Sequence, residues 1–345
     1  MSYFDPVKAE GIIIFMPDKH MGNVVMSLRA IKSMENYFKD KIKGIIIDEL
    51  YKEILFSFFD NDIILPYNLR KKSSKIWYMR EFLNFIKKIR RLKPTVSVDY
   101  EGRTTGAVLS FLSGARYRVG FMNSEKSYCY NVKILPDGNY KHKSEYYLSI
   151  PLKLGIPIID KLTPTIKKEW EISLGKKLSN LGTNKNSKIV SIHPGAGKIY
   201  KKWPAKNFAF VADYLIENGY AVVFIGSERD EDDVLCVKSY MKNKAFDLCG
   251  KLSLGELMAL FKKTKLYIGN DSGPMHLASL FNIPIIALFG SANEGRWRPF
   301  GDKVVTLRGA ERCWKCKGRH CNKDFQCIKM ISTDEVLRKV KILES

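Results

Sequence analysis

The sequence predicts an α/β protein made of two Rossmann-like, doubly wound parallel-sheet domains facing a cleft. Two observations lead there. Short apolar runs rich in β-branched residues alternate with amphipathic segments at helical spacing along most of the chain. The alternation breaks once, between about residues 155 and 187, in a stretch rich in proline, lysine and asparagine. A chain of 345 residues, 45% hydrophobic, exceeds one ordinary core and suits two, expected at 1–165 and 166–345.

In the first half, "GIIIFMP" (11–17) reads as a strand and "NVVMSLRAIKSMENYF" (23–38) as a helix. "GIIID" (44–48) and "PTVSVDY" (94–100) are further strands, and "TGAVLSFLSGA" is a helix ending at Gly114 before the short strand "YRVGF". After one helix in the interdomain stretch, a second series begins with "KIVSIHPGAG" (188–197). It continues through "FAFVADYLIENG" (208–219), "YAVVFIGS" (220–227), "EDDVLCVKSYM" (231–241) and "LSLGELMALFKKT" (252–264). Continuous apolar strands of this kind belong to parallel sheets covered on both faces.

The series ends in "GNDSGPMHLASLFNIPIIALFG" (269–290): strand end, polar loop, short helix and strand. Asp271 or Ser272 can act as N-cap, Pro274 suits a first helical turn, and Asn282 is a left-handed terminator. Capping needs only one of these polar residues. The remainder fit an anion site: Gly273 permits close backbone approach, the first-turn N–H groups are free, and His276 lies on that turn.

Two more strand-end loops of the second half open on the same sheet edge, "HPGAGKIYKKWP" (193–204) and "GSERDED" (226–232). The first joins glycines, Gly195 among them, to Lys198, Lys201 and Lys202, a composition suited to a diphosphate. It is not a Walker A loop, since no Gly-Lys-Ser/Thr opens a helix. Lys202 also reads as a solvated side chain, and Glu231 as an acid at a helix start or a ribose ligand. In the first half, "PDKHMGNVVMS" (17–27) carries Asp18, His20 and Asn23, candidates for handling an acceptor hydroxyl. "DYEGRTTG" (99–106) adds Asp99, Glu101 and Arg103, as a second such loop or as a plain surface turn.

The net charge of +22 calls for a class of partner. Much of it lies in residues 68–94, where basic residues alternate with Ile, Trp, Tyr, Phe and Leu. A helix there has one basic and one apolar face, for solvent or for an anionic membrane surface. No recognition-helix or RNA-binding motif accompanies it, which places specific nucleic acid behind both. No apolar run reaches membrane-spanning length and the N-terminus does not read as a signal peptide, so the expected location is cytoplasmic. Four of the seven cysteines, Cys313, Cys316, Cys321 and Cys327, cluster in "CWKCKGRHCNKDFQC". Their spacing allows a structural zinc but lacks the paired spacing of a standard ribbon.

Taken together, "HPGAGKIYKKWP", the run from "LCGKLSLGELM" to "IPIIALFG", and the cysteine-rich tail resemble glycosyltransferase family 9. These are the GT-B ADP-heptose:lipopolysaccharide heptosyltransferases. "MGNVVMSLRAIKSM" and "VDYEGRTTGAVLSFLSGARYRVGF" resemble the family's N-terminal motifs. The resemblance implies a GT-B fold and inverting transfer of heptose from ADP-heptose to a lipid-anchored lipopolysaccharide core. It makes the first domain acceptor-binding and the second donor-binding, and it places the enzyme at the inner face of the inner membrane. Donor binding would fall to Gly195, Lys201, Glu231, Asp271, Ser272, Gly273 and His276, and acceptor binding to His20, Asp99 and Arg103. No metal or other cofactor is implied for catalysis, because the protein's own groups supply the positive field.

One departure stands out. The family carries Gly-Asp in the first loop, its aspartate being the presumed base, where this chain has Gly22-Asn23. An amide takes no proton at neutral pH, so Asp18, five residues earlier, becomes the expected base, with His20 second. The departure also admits another donor sugar, or a catalytically impaired sugar-nucleotide-binding protein.

Overall fold

The computed structural model describes residues 9–68, 75–136, 138, 140–182, 187–310, 313 and 320–344, with 75–78 and 344 described by backbone alone. The chain divides into two compact units, Met1–Thr163 and Pro164–Ser345.

In unit 1 the elements run β1 (Ile12–Met16), α1 (Met21–Phe38), β2 (Ile42–Asp48), α2 (Lys52–Phe56), β3 (Ile64–Tyr67), α3 (Lys75–Arg91), β4 (Val96–Asp99), α4 (Thr104–Leu112), β5 (Tyr117–Phe121), β6 (Val132–Ile134) and α5 (Lys143–Lys153). The strands form one parallel sheet ordered β3-β2-β1-β4-β5-β6. Every residue of β1 and β4 is buried, which is why both read as unbroken apolar runs. On one face Ile13, Phe15, Ile46, Leu65, Ile86, Ile89 and Leu109 form a common core, against which Phe82 and Phe85 of α3 pack. The basic face of α3 is turned outward, with Met79 and Leu83 about half exposed beside Arg80, Lys87, Lys88 and Arg91.

In unit 2 the elements are α6 (Lys168–Asn180), β7 (Lys188–His193), α7 (Ala205–Glu217), β8 (Tyr220–Phe224), α8 (Glu231–Tyr240), β9 (Phe246–Asp247), α9 (Leu254–Lys263), β10 (Thr264–Asn270), α10 (Gly273–Ser279), β11 (Ile285–Leu288), α11 (Glu294–Trp297), β12 (Val304–Leu307), α12 (Gln326–Lys329) and α13 (Thr333–Glu344). The sheet order β12-β11-β10-β7-β8-β9 is that of unit 1 read from the other side. In each sheet the winding reverses between two central strands, β1 and β4 in unit 1, β7 and β10 in unit 2. Ligands of doubly wound folds collect at such a point, outside the carboxyl ends of the strands.

The helix expected in the interdomain stretch is α6, and it belongs to unit 2. Glu256, the third residue of a Ser253 capping box on α9, also accepts from Ser173 Oγ (2.6 Å) and Lys177 Nζ (2.7 Å) of α6. The 269–290 segment folds as expected. Ser272 takes the N-cap position, Pro274 the first turn, and Asn282 stands at φ +52°. Strand β3 went unread because it contains Pro66; a proline is tolerated there because β3 is an edge strand.

Candidate active site

At the switch point of unit 2, loops from β7, β8 and β10 meet. Asn270, at the end of β10 and fully buried, joins two of them: its Nδ2 donates to Pro194 O (2.7 Å) and its Oδ1 accepts from Trp203 N (3.0 Å). Trp203 is itself anchored through Nε1 to Ile331 O at 2.9 Å. The lysine loop is therefore held at both ends by buried polar bonds, and the lysines between them stand at a defined place.

Lys201 Nζ lies 2.6 Å from Asp271 Oδ2, a lysine with 29% of its side chain exposed against a carboxylate with 6%. Lys202 Nζ pairs at 2.6 Å with Asp233 Oδ1 on α8, so the solvated reading of Lys202 is corrected. Ser272 does not cap α10 with its side chain: its Oγ donates to Asn270 O (3.0 Å) and meets His193 Nδ1 at 2.9 Å. On the other side of the ring, His193 Nε2 lies 3.5 Å from Asp230 Oδ2. Burial works against the charged form of Asp230. The hydrogen bond and charge of His193 and the two bonds from Ser227 outweigh it and lower the carboxyl to about 2. Asp230 thus remains an anion throughout the physiological range, facing a buried histidine across 3.5 Å.

Of the donor-side residues named from sequence, Lys201, Asp271 and Ser272 come together here, with Gly273 opening α10 beside them. The close approach that Gly195 permits is taken by Asp230, whose carboxylate occupies the space a side chain would need. Glu231 is exposed at the start of α8, its carboxylate beside Gly250. His276 is enclosed, 4% exposed, on the first turn of α10. Sequence reasoning missed His193 and Asp230. The signal for His193 was its place as the last residue of a buried strand, before Pro-Gly; Asp230 carried none beyond its neighbour Glu231.

Unit 1 presents carboxyls at its switch point instead. Asp18, after β1, accepts from His20 N (2.8 Å) and His20 Nδ1 (3.0 Å) on Oδ1, and from Asn23 Nδ2 (2.8 Å) on Oδ2. Its side chain is 3% exposed, so the expected base is a clasp that shapes its own loop, with Asn23 as one of the clasped groups. His20, at 65% side-chain exposure, is the open member of that loop. After β4, Asp99 is fully buried: Tyr130 Oη donates to Oδ2 (2.5 Å), and the backbone N–H groups of Glu101 (2.9 Å) and Gly102 (3.4 Å) donate to Oδ1. Gly106 on α4 has no side chain because the Asp99 carboxyl fills that space. The assignment of Asp99 to acceptor binding is therefore corrected; it organises the loop from beneath. Burial pushes Asp99 up to about 6 against these hydrogen bonds. Arg103 is exposed at the N-cap of α4.

Glu101 is the half-buried carboxyl of this group. Its Oε2 accepts from Gly106 N at 2.9 Å. Burial raises it first, and the Asp99 charge second; the Gly106 bond opposes, Asp18 adds to the rise, Arg103 opposes, and the carboxyl stands at about 8.

In the cysteine-rich tail, Cys316 lies outside the described residues, while Cys313, Cys321 and Cys327 are half-buried. Among the described residues no group of three or more metal-ligating side chains converges. Nor does any helix among them have the length and apolarity to cross a membrane.

Two doubly wound units of one topology, each with its switch point at the carboxyl ends of the strands, are the folding units of the GT-B class. The sequence model for glycosyltransferase family 9 (heptosyltransferase) matches residues 82–326, and the chain belongs to that family. It is 28% identical over 299 residues to lipopolysaccharide heptosyltransferase 3 of Escherichia coli, covering 82% of this chain and 85% of the relative. Among solved structures, the family 9 glycosyltransferase of Veillonella parvula superposes with a TM-score of 0.87 at 22% identity over 99% of each chain. The E. coli ADP-heptose lipopolysaccharide heptosyltransferase II superposes with 0.80 at 18% identity, over 96% of this chain and 98% of that one.

Proposed function

We propose that this glycosyltransferase moves a heptose from ADP-heptose to the inner core of lipopolysaccharide, in one displacement that inverts the anomeric carbon. The observation that carries the reading is the Lys201–Asp271 pair, set beside His193 and Ser272 at the switch point of unit 2. A partly exposed lysine held by a buried carboxylate is a fixed cation at a strand edge, suited to a diphosphate whose charge grows as the sugar leaves. Glu231, exposed one loop away, suits a ribose. The similarity to proteins named lipopolysaccharide and ADP-heptose heptosyltransferases supports the choice of donor and acceptor. In this reading His20 and Arg103, both exposed at the strand ends of unit 1, meet the acceptor.

The protein's own cations supply the positive field, so the reading has transfer proceed with a chelator present. A lipid-anchored acceptor also places the enzyme at the inner face of the inner membrane, where the outward basic face of α3 meets anionic lipid. A thermal-shift series with ADP, UDP, GDP and their sugars tests the donor. The expected result is selective stabilisation by ADP and ADP-heptose; a larger shift from another nucleotide would reassign it.

A further inference from the structure

We propose that Glu101 takes the proton from the acceptor hydroxyl, an inference that rests on the sugar-transfer reading above. Unit 1 offers five carboxyls at or just beyond the ends of β1, β2 and β4. Of these Glu49, after β2, accepts from Asn68 Nδ2 at 3.1 Å on Oε2 and faces Lys52 Nζ at 3.7 Å with Oε1. Asp48 is 2% exposed and accepts from Leu50 N at 3.0 Å, holding the turn after β2. Asp18 has hydrogen bonds on both oxygens and Asp99 is enclosed. Glu101 alone of the five has both partial exposure and an oxygen, Oε1, with no hydrogen bond or ion pair from a described residue.

Its mounting suits the task. Glu101 N is fixed by Asp99 Oδ1 at 2.9 Å, Asp99 is fixed in turn by Tyr130, and Oε2 is tied to the first turn of α4 through Gly106 N at 2.9 Å. One oxygen is therefore anchored and the other presented, at the point where β1 and β4 part. Parallel pairing of Phe15 with Asp99, and Tyr100 N bonded to Phe15 O at 2.9 Å, bring the strand end before Glu101 beside that of the Asp18–His20 loop.

The groups facing Glu101 are Asp99 from β4, Asp18 from the loop after β1, Arg103 from the start of α4, and Tyr147 from α5. Two carboxyls against one guanidinium favour the proton, consistent with a group that titrates at about 8. A base in that range accepts a proton readily yet is available near neutral pH. In the step, the acceptor O–H proton passes to Glu101 Oε1 while the acceptor oxygen bonds to the anomeric carbon. The bond from carbon to the diphosphate breaks, and its electron pair leaves on ADP.

Glutamine at 101 keeps a carbonyl for the Gly106 N–H, so Glu101→Gln separates proton transfer from support of α4. Release of ADP from ADP-heptose is followed with a truncated lipopolysaccharide core acceptor from pH 5.5 to 9.5, with ADP affinity measured by calorimetry. The wild-type kcat/KM is expected to rise with pH and level off above about 8. Glu101→Gln is expected to lower kcat by roughly 10²–10⁴-fold, to remove that rise, and to leave the ADP Kd within about twofold. Glu101→Asp, which keeps a carboxylate, should recover part of the rate. A Glu101→Gln enzyme with wild-type kcat and an unaltered pH profile would overturn the inference alone. Absence of turnover by the wild-type chain would overturn the sugar-transfer reading, and the inference with it.

Discussion

At the strand ends of unit 1, Asp18, Asp99 and Glu101 crowd together with Arg103 as the nearby cation, and two of the three carboxyls are pushed up, to about 6 and about 8. At the strand ends of unit 2, three carboxylates face bases: Asp271 with Lys201, Asp233 with Lys202, Asp230 with His193. There Asp230 is held down at about 2. The two sheets have one topology, so the contrast arises from a few loop residues on a common frame. In the proposed transfer, a proton-accepting edge and an anion-holding edge are the two halves of one reaction.

The largest effect is expected at Lys201. Lys201→Ala removes a fixed cation and leaves Asp271 buried without its partner, next to an incoming anion. Removing one partner of such a pair costs about 2–5 kcal/mol, so ADP affinity should fall by roughly 30-fold to several thousandfold by calorimetry. Asp271→Ala should be similar, because Lys201 then loses its anchor. An ADP Kd unchanged in both variants would erase the distinction between the two edges.

His193 sharpens the comparison. With Ser272 on one ring nitrogen and Asp230 facing the other, it positions the serine beside Lys201. His193→Ala should weaken ADP binding by about tenfold, the scale of one charge-assisted hydrogen bond, while His193→Gln recovers part of the loss.

A smaller effect concerns stability against pH, and its sign differs between the edges. Asp99 and Glu101 have raised values, so their contribution is complete at acid pH and is lost as pH rises through about 6 and about 8. Asp230 has a lowered value, so its contribution is present at neutral pH and is lost as pH falls through about 2. Hydrogen exchange over 96–121 should therefore quicken between pH 5 and 8.5, after correction for intrinsic rate, while exchange over 188–230 should not. Asp99→Asn should flatten the first trend. Equal slopes for the two segments would contradict the assignment.

The smallest effect is membrane recruitment through α3. Each Lys or Arg near an anionic bilayer contributes about 1 kcal/mol, so co-sedimentation with anionic vesicles should decline as salt rises. Equal retention on neutral vesicles would remove the basic face from the account.

Most strands and helices of both units were legible because buried parallel strands and amphipathic helices leave strong periodic signals. The unread strands lie at the sheet edges: β3 with its proline, the three-residue β6, the two-residue β9, and β12, whose four residues are mostly half-buried. Helices α2, α5 and α13 were also not read from the sequence. In unit 2, residue type and spacing pointed to the lysine loop and the Asp271–Ser272 loop, and the family resemblance singled out Lys201 within the first. The partners of these side chains could not be read. Nothing in the sequence shows that Asp230 reaches across to fill the space above Gly195, or that His193 bridges two loops. The acceptor side misled for a similar reason. Asp18 and Glu101 look equivalent in sequence, and only burial and hydrogen bonds show which oxygen is already taken.

The division of labour between the edges is tested most directly by measuring ADP affinity and kcat in parallel for Lys201→Ala and Glu101→Gln. Lys201→Ala should lose ADP affinity by at least about 30-fold. Glu101→Gln should bind ADP like the wild type while kcat falls by roughly 10²–10⁴-fold. If Lys201→Ala binds ADP as tightly as the wild type, or if Glu101→Gln loses ADP affinity in proportion to its rate, the assignment of donor and proton acceptor to separate edges is wrong.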